Sequence, residues 1–229
     1  TDSPSFASAR RQAQGMRLYT AQEISAGAKQ GIWAQQNQKN GALPRTLGNA
    51  EGGNPGAGGD ATPMNVSFSQ VQPSSRFTSL QDNGFSLSYP DNWRAVNGNG
   101  NITIGPPAGI SGGSIAYGVQ VGTFQDPNAQ TMDQVMQELI QNLQQSNPGL
   151  RVSGNLNRMD VNGQEARSVY LSGSSPLEKN GEAVPERDWL VTVARPQGGV
   201  MYLVFVAPEQ DFNQLRSTYE KMLNSLRVS

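Results

Sequence analysis

The sequence predicts an α+β fold in which a mostly antiparallel sheet of six or seven strands is covered by helices. The first observation is a series of short segments after Arg76 in which apolar and polar residues alternate between turn signals, as in half-buried strands. The second is a pair of longer segments whose apolar residues recur every three or four positions, as in amphipathic helices. A Gly-rich segment before them separates this part from short helices at the start of the chain.

The strands follow from alternation and from turn residues. Phe85, Leu87 and Tyr89 alternate with serines, and similar short strands are expected at 102–104 and 115–121. Asn162-Gly163 predicts a hairpin turn between two further strands. The segment from Val200 to Val206 is apolar on both faces, which is typical of a strand at the centre of a covered sheet.

Two helices complete the predicted domain. Apolar residues line one face of the segment 131–145, and Thr131 with Gln134 forms a capping-box pattern at its start. A second apolar stripe follows Asp211, which we expect to cap the last helix together with Gln214. Residues 109–114 are expected to form a hairpin loop, and residues 179–182 a loop tip at the surface.

Composition divides the chain into three parts. Residues 1–40 predict a helical connector from a preceding domain, residues 41–75 a flexible Gly/Pro-rich linker, and residues 76–229 the α+β domain. The chain begins with Thr1 rather than methionine, so we expect it to be a processed or excised piece of a longer protein.

The absent residue types exclude several classes of function. The 229 residues include no histidine and no cysteine, which removes the usual zinc sites, thiol nucleophiles and Ser-His-Asp arrangements. The net charge of −1 argues against nucleic-acid binding. We therefore predict no catalytic residue, no metal ligand and no cofactor site in this chain, although an enzyme using only carboxylates and hydroxyls is a minor alternative.

Aromatic residues supply the one candidate binding site. Trp93, Tyr117 and Trp189 could line an apolar ligand cleft, because small-molecule pockets are often aromatic-lined, and packing in the core is the alternative. Glu186-Arg187-Asp188 places two carboxylates on one side of a strand, which we interpret as a solvated rim rather than an acid/base pair. Charged residues around Asn162-Gly163 are expected to be ordinary hairpin surface.

The order of these elements resembles the PsbP/Mog1-like superfamily over residues 76–229. The resemblance rests on an opening strand that ends in proline and tryptophan, an early helix, consecutive hairpins and a closing apolar helix, seen in Phe85-Ser-Leu-Ser-Tyr-Pro-Asp-Asn-Trp93 and in Phe212, Tyr219, Met222, Leu223 and Leu226. It implies an α/β/α sandwich that serves as an accessory or binding domain without conserved catalytic residues.

A narrower resemblance is to the non-catalytic C-terminal region of bacterial M48-type (Ste24-like) zinc metallopeptidases. It rests on the opening Thr1-Asp-Ser-Pro-Ser-Phe6, the helical stretch with Leu18-Tyr-Thr-Ala-Gln-Glu-Ile24, the linker, and the segments Asp188-Trp-Leu-Val-Thr-Val193 and Val204-Phe-Val-Ala-Pro-Glu209 of the terminal domain. The resemblance implies a zinc-binding His-Glu-x-x-His domain upstream. Because this chain has no histidine, none of the family's zinc or catalytic positions can be assigned to it.

Two functional hypotheses remain open. In the first, the chain is a non-catalytic accessory region of a zinc metallopeptidase in the bacterial periplasm or envelope, where it contacts the catalytic domain or another protein and reaches a membrane only through its parent. In the second, it is a stand-alone envelope protein that holds a small apolar or lipid ligand. Neither hypothesis includes nucleic acid.

Overall fold

The computed structural model describes residues 64–82, 84–98 and 100–229. The elements in chain order are α1 (Phe68–Val71), β1 (Phe77–Asp82), β2 (Phe85–Pro90), β3 (Arg94–Asn97), β4 (Asn101–Gly105), a 3-10 turn (Pro107–Gly109), β5 (Ile110–Ser111), β6 (Ser114–Ile115), β7 (Gly118–Phe124), α2 (Met132–Ser146), β8 (Arg151–Val152), β9 (Asn157–Val161), β10 (Gln164–Lys179), β11 (Glu182–Ala194), β12 (Val200–Pro208), α3 (Glu209–Ser225) and β13 (Arg227–Val228). The predicted connector 1–40 and the first part of the predicted linker lie outside the described residues.

An antiparallel sheet forms the middle layer of the described domain. Its strand order is β3-β4-β7-β12-β11-β10-β8, and β9 also pairs with β10, so the sheet has eight strands rather than the predicted six or seven. The prediction was too low because β3 and β8 are edge strands of four and two residues, too short to show alternation. Two locally connected groups, β3-β4-β7 and β10-β11-β12, meet only where β7 pairs with β12.

A helix covers each face of this sheet, as predicted. On one face, α3 contributes Phe212, Leu215 and Tyr219 to a core that includes Phe205 of β12. On the other face, α2 contributes a second group of buried apolar side chains, which pack against β12 and β11: Met136, Leu139, Leu143, Val204 and Leu190. These faces are called the α3 face and the α2 face below. A smaller sheet, β1-β2-β13, adjoins α3, and β5 pairs with β6 in a separate hairpin.

The strand β12 has both predicted properties of a central strand. All nine of its residues are buried. It pairs with β7 on one side and with β11 on the other. Apolar side chains on both faces are stable here because each face is covered by a helix.

Several local predictions from turn and cap residues are confirmed. Asn162 and Gly163 have φ values of 54° and 83°, which two-residue hairpin turns require and which asparagine and glycine adopt at low cost. The Thr131 and Gln134 side chains form the predicted capping box at the start of α2. The predicted cap at Asp211 is wrong: α3 begins at Glu209, and Asp211 lies inside its first turn.

The packed domain extends further toward the start of the chain than predicted. Residues 64–75 belong to the predicted linker, but Met64 and Val71 are buried in the core on the α3 face. The Met64 N–H also donates to the Pro176 carbonyl at 3.3 Å. The boundary near Arg76 therefore lies inside the domain, because a few apolar anchors suffice to hold a segment that lacks periodicity.

Candidate functional site

The three residues of the predicted cleft lie in the core on the α3 face. Trp93 and Tyr117 are buried, and Trp189 is partly buried against the same core. Neither of the two main clefts in the described domain is lined by any of them. Their placement matches the core-packing alternative, and the ligand cleft stays a prediction.

Ring contacts account for the position of Trp189. It lies between Tyr170 and Phe205 on the neighbouring strands, with ring centroids 6.4 Å and 5.2 Å away and nearly parallel planes. Phe205 in turn lies 5.0 Å from Tyr219 of α3. Such aromatic contacts fill the space between α3 and the sheet with side chains and contribute beyond their buried area.

Tyr117 connects the start of β7 to the first turn of α3. Its hydroxyl donates a hydrogen bond to Asp211 Oδ2 at 2.8 Å, although the two residues are 94 positions apart. Burial raises the pKa of Tyr117, and the hydrogen bond to Asp211 raises it further because that bond requires the protonated phenol. The pair is therefore a buried structural contact that short-range sequence patterns could not reveal.

Glu186 and Asp188 depart most from the sequence interpretation. The expected solvated rim is wrong: Glu186 is 1% exposed and Asp188 is 0% exposed. Their alternation with Leu190 places both on the α2 face. None of the four carboxyl oxygens has a partner at normal hydrogen-bond geometry within the described part of the chain, and the Ser175 hydroxyl is the polar group near Glu186. Two carboxyl groups are thus enclosed next to each other without a cation.

The environment of this pair favours the neutral form of both groups. Burial raises the pKa of Asp188 well above its usual range. Burial also raises the pKa of Glu186, and the charge of Asp188 raises it further, while the nearby Ser175 hydroxyl acts in the opposite direction. Divergent carboxyl pKa values are a mark of acid/base sites, but a catalytic pair must also reach a substrate. Groups this deeply buried do not meet that condition.

Charged groups line an open cleft of about 720 Å³ beside the start of α2. At its base Arg167 is 5% exposed, and its guanidinium donates to Asp133 Oδ1 and, at 2.7 Å, to Glu165 Oε1. At the rim, Arg158 Nη2 lies 3.6 Å from Asp133 Oδ2. The prediction of ordinary hairpin surface around Asn162-Gly163 therefore holds for Glu165 but not for Arg167.

The hydrogen bond from Arg167 lowers the pKa of Asp133, and the charges of Arg167 and Arg158 act in the same direction. Sequence reasoning missed Asp133 because an aspartate in the first turn of a helix is already explained by the helix dipole. The sequence feature that could have indicated this ion pair is Arg167, an arginine on a strand whose neighbouring side chains face the core.

A second cleft of about 260 Å³ opens near the turn between β3 and β4. Its walls combine apolar side chains, among them Phe85 and Met201, with Asn97 and Asn101. This volume is below the roughly 300 Å³ at which ligand pockets usually begin. The cleft at α2 is therefore the larger and more polar of the two.

Neither a cluster of metal-binding side chains nor a membrane-spanning helix is found among the described residues. They contain no group of three or more acidic side chains placed to hold a metal ion. No helix within 64–229 is long and apolar enough to cross a membrane.

Comparison with known proteins identifies the fold. No family model and no curated protein sequence matches the chain. The solution structure of the cyanobacterial PsbP protein (CyanoP) from Synechocystis sp. PCC 6803 is similar with a TM-score of 0.51 and 12% identity, over 69% of this chain and 95% of that protein.

Two further solved structures match less well, with TM-scores of 0.40. They are protein PA94 of Pseudomonas aeruginosa, with 10% identity over 68% of this chain and 99% of that protein, and LpqN, involved in cell envelope biogenesis of Mycobacterium tuberculosis, with 17% identity over 67% and 91%. The likeness to CyanoP confirms the predicted PsbP-like α+β fold, and it extends to the fold alone.

Proposed function

We propose that this chain is a non-catalytic accessory region whose PsbP-like domain binds a protein partner through the charged cleft beside α2. The observation that carries the proposal is the contrast between the base and the rim of this cleft. Arg167 at the base is held by two carboxylates, whereas the Arg158 side chain at the rim is 79% exposed and that of Glu165 is 61% exposed. A base fixed by ion pairs, with exposed charges of both signs at its rim, suits recognition of a polar protein surface.

The narrower part of the proposal is that the partner is the catalytic domain of an M48-type zinc metallopeptidase encoded upstream of residue 1. The sequence segments that resemble this family support it. Because the chain has no histidine, the zinc would be held entirely by the upstream domain. A location in the bacterial periplasm or envelope belongs to the same proposal. The alternative of a bound apolar or lipid ligand has less support, because Trp93, Tyr117 and Trp189 are packed among other core side chains.

The test begins with the coding sequence upstream of Thr1. A His-Glu-x-x-His segment there supports the metallopeptidase proposal, and a signal or lipoprotein sequence alone contradicts it. In the full-length protein, amide hydrogen exchange of residues 125–133 is then compared with that in the 1–229 chain. Docking at the cleft slows exchange of this segment in the full-length protein only.

Arg158→Glu should abolish this slowing, because it reverses the exposed charge at the rim. The matched control is Arg76→Glu, which reverses an arginine whose side chain is 84% exposed and which pairs with Asp91 outside the cleft. Equal exchange in the full-length protein and the 1–229 chain would contradict docking at this cleft, whatever the upstream sequence encodes.

A further inference from the structure

The hairpin of β10 and β11 extends beyond the rest of the sheet. Glu186 is opposite Pro208, the last residue of β12, so residues 182–185 of β11 have no partner on that side. Residues 174–185 therefore form a two-stranded arm that ends in the turn at Asn180-Gly181. Within the described chain, the one backbone bridge to this arm is the parallel pairing of Met64 with Leu177.

Glu186 and Asp188 lie where the arm joins the sheet. Glu186 is opposite Gly173 on β10, and Asp188 is opposite Leu171. A side-chain β-carbon at Gly173 would lie 3.5 Å from Leu150 Cδ1 and 3.9 Å from Glu186 Oε1, which shows that Leu150 covers this junction. The two carboxyl groups are thus enclosed by β10, by β12 and by the loop after α2.

The polar groups around the pair include no cation that could balance a negative charge. From β10, Ser175 is the nearby polar side chain. Burial raises the pKa of the Tyr219 phenol on α3, and the charges of both carboxyls raise it further. The charge of Tyr117, which is hydrogen-bonded to Asp211, acts on Tyr219 in the same direction. Arg187 points to the opposite face, where it pairs with Glu209 at 2.7 Å. No described arginine or lysine forms an ion pair with Glu186 or Asp188.

We propose that Glu186 and Asp188 form a proton-binding site that fastens the arm to the sheet. With protons bound, both carboxyl groups are neutral and the junction stays packed. When they ionise, two adjacent negative charges without a partner need water, and the junction must open to admit it. Burial and mutual repulsion raise the pKa of Glu186, and burial raises that of Asp188, so the closed state binds more protons than the open one.

Amide hydrogen exchange measured against pH tests this proposal, with protection factors corrected for the intrinsic exchange rate. Each proton released on opening shifts the opening equilibrium by about tenfold per pH unit. As pH rises above the usual carboxyl range, the protection factors of residues 171–175 and 185–189 should therefore fall. The fall should be up to about tenfold per pH unit for each proton that the carboxyl pair releases on opening. Protection factors that stay constant with pH would overturn the proposal.

The double variant Glu186→Gln/Asp188→Asn keeps the shape of both side chains and cannot ionise. Its protection factors at the junction should not depend on pH. The matched control is Glu178→Gln/Glu182→Gln, which removes two exposed carboxylates from the same arm and should retain the wild-type dependence. If the double variant keeps the full dependence, the proton site is elsewhere and the proposal fails.

An independent measurement on the wild-type chain covers the case in which the double variant does not fold. In a pH titration followed by infrared difference spectroscopy, the carbonyl band of a protonated carboxylic acid should persist above the pH range in which exposed carboxyl groups ionise. This band should disappear together with the loss of protection, and its complete loss within the usual carboxyl range would contradict the proposal.

Discussion

Gly122 of β7 lies directly against the ring of Tyr202 on β12, and this contact leaves no room for a side chain at position 122. The two residues are paired in the antiparallel ladder, and Tyr202 is buried. A β-carbon at Gly122 would be 2.5 Å from Tyr202 Cζ and 2.8 Å from Cε1. Real side chains do not tolerate such distances, so Gly122→Ala must displace the ring. Overpacking of this kind lowers the free energy of unfolding by about 1–3 kcal/mol.

The identity of residue 202 decides whether that cost remains. Tyr202→Phe removes the hydroxyl but keeps Cζ and Cε1, so Gly122→Ala should cost nearly as much in that background. Tyr202→Leu removes the ring, and Gly122→Ala should then cost little. The double-mutant cycle between Gly122→Ala and Tyr202→Leu should therefore give a coupling energy of about 1–3 kcal/mol. The cycle between Gly122→Ala and Tyr202→Phe should give a coupling energy near zero.

Urea unfolding followed by circular dichroism measures these free energies. Gly149→Ala is the matched control, because no atom lies within 4 Å of a β-carbon at that position. It should leave stability unchanged or raise it by up to about 1 kcal/mol, since alanine restricts the unfolded chain more than glycine does. A Gly122→Ala variant as stable as wild type, or one equally destabilised in the Tyr and Leu backgrounds, would refute the packing argument.

Three other changes test different parts of the fold. Val204→Asp places a carboxylate inside β12 and should cost about 3 kcal/mol or more, whereas an unchanged melting temperature would contradict the central position of this strand. Asp133→Asn removes a carboxyl whose pKa is lowered by the Arg167 hydrogen bond. The stabilisation that ionised Asp133 provides is fully present above the ordinary aspartate pKa, and it is lost as pH falls through the lowered pKa of the folded state. In urea unfolding at decreasing pH, the variant should therefore lose less stability than wild type. Asn162→Ala removes hydrogen bonds of 3.0 Å and 2.7 Å to the Asn224 and Leu226 carbonyls and strains a residue with φ of 54°, and should cost about 1–3 kcal/mol by chemical denaturation, with a smaller loss for Asn162→Gly.

Features set by neighbouring residues could be predicted from the sequence. The turns at Asn162-Gly163 and at residues 179–182 follow from the backbone conformations that asparagine and glycine adopt easily. The capping box at Thr131 requires residues only three positions apart. The central position of β12 follows from an apolar run that only a covered strand can bury.

Features set by distant residues could not be predicted. Glu186 and Asp188 follow a polar loop tip, so local composition indicates exposure, but the length of β10 and the position of Leu150 enclose them. Asp211 has the pattern of a helix cap, yet Pro208 precedes the helix, and Tyr117, just before β7, donates a hydrogen bond to its carboxylate. In each case the deciding contact joins segments that are far apart in the sequence.

The single ladder between β7 and β12 has a consequence for how the chain folds. The strands β10, β11 and β12 are joined by turns of a few residues, so they can pair quickly, whereas β7 and β12 are separated by α2 and four other strands. Closing that long loop is entropically costly before any contact rewards it. We therefore expect the pairing of β7 with β12, which joins β3-β4-β7 to β10-β11-β12, to limit the folding rate. Substitutions along this ladder should mainly slow folding, whereas substitutions in the hairpins should mainly speed unfolding.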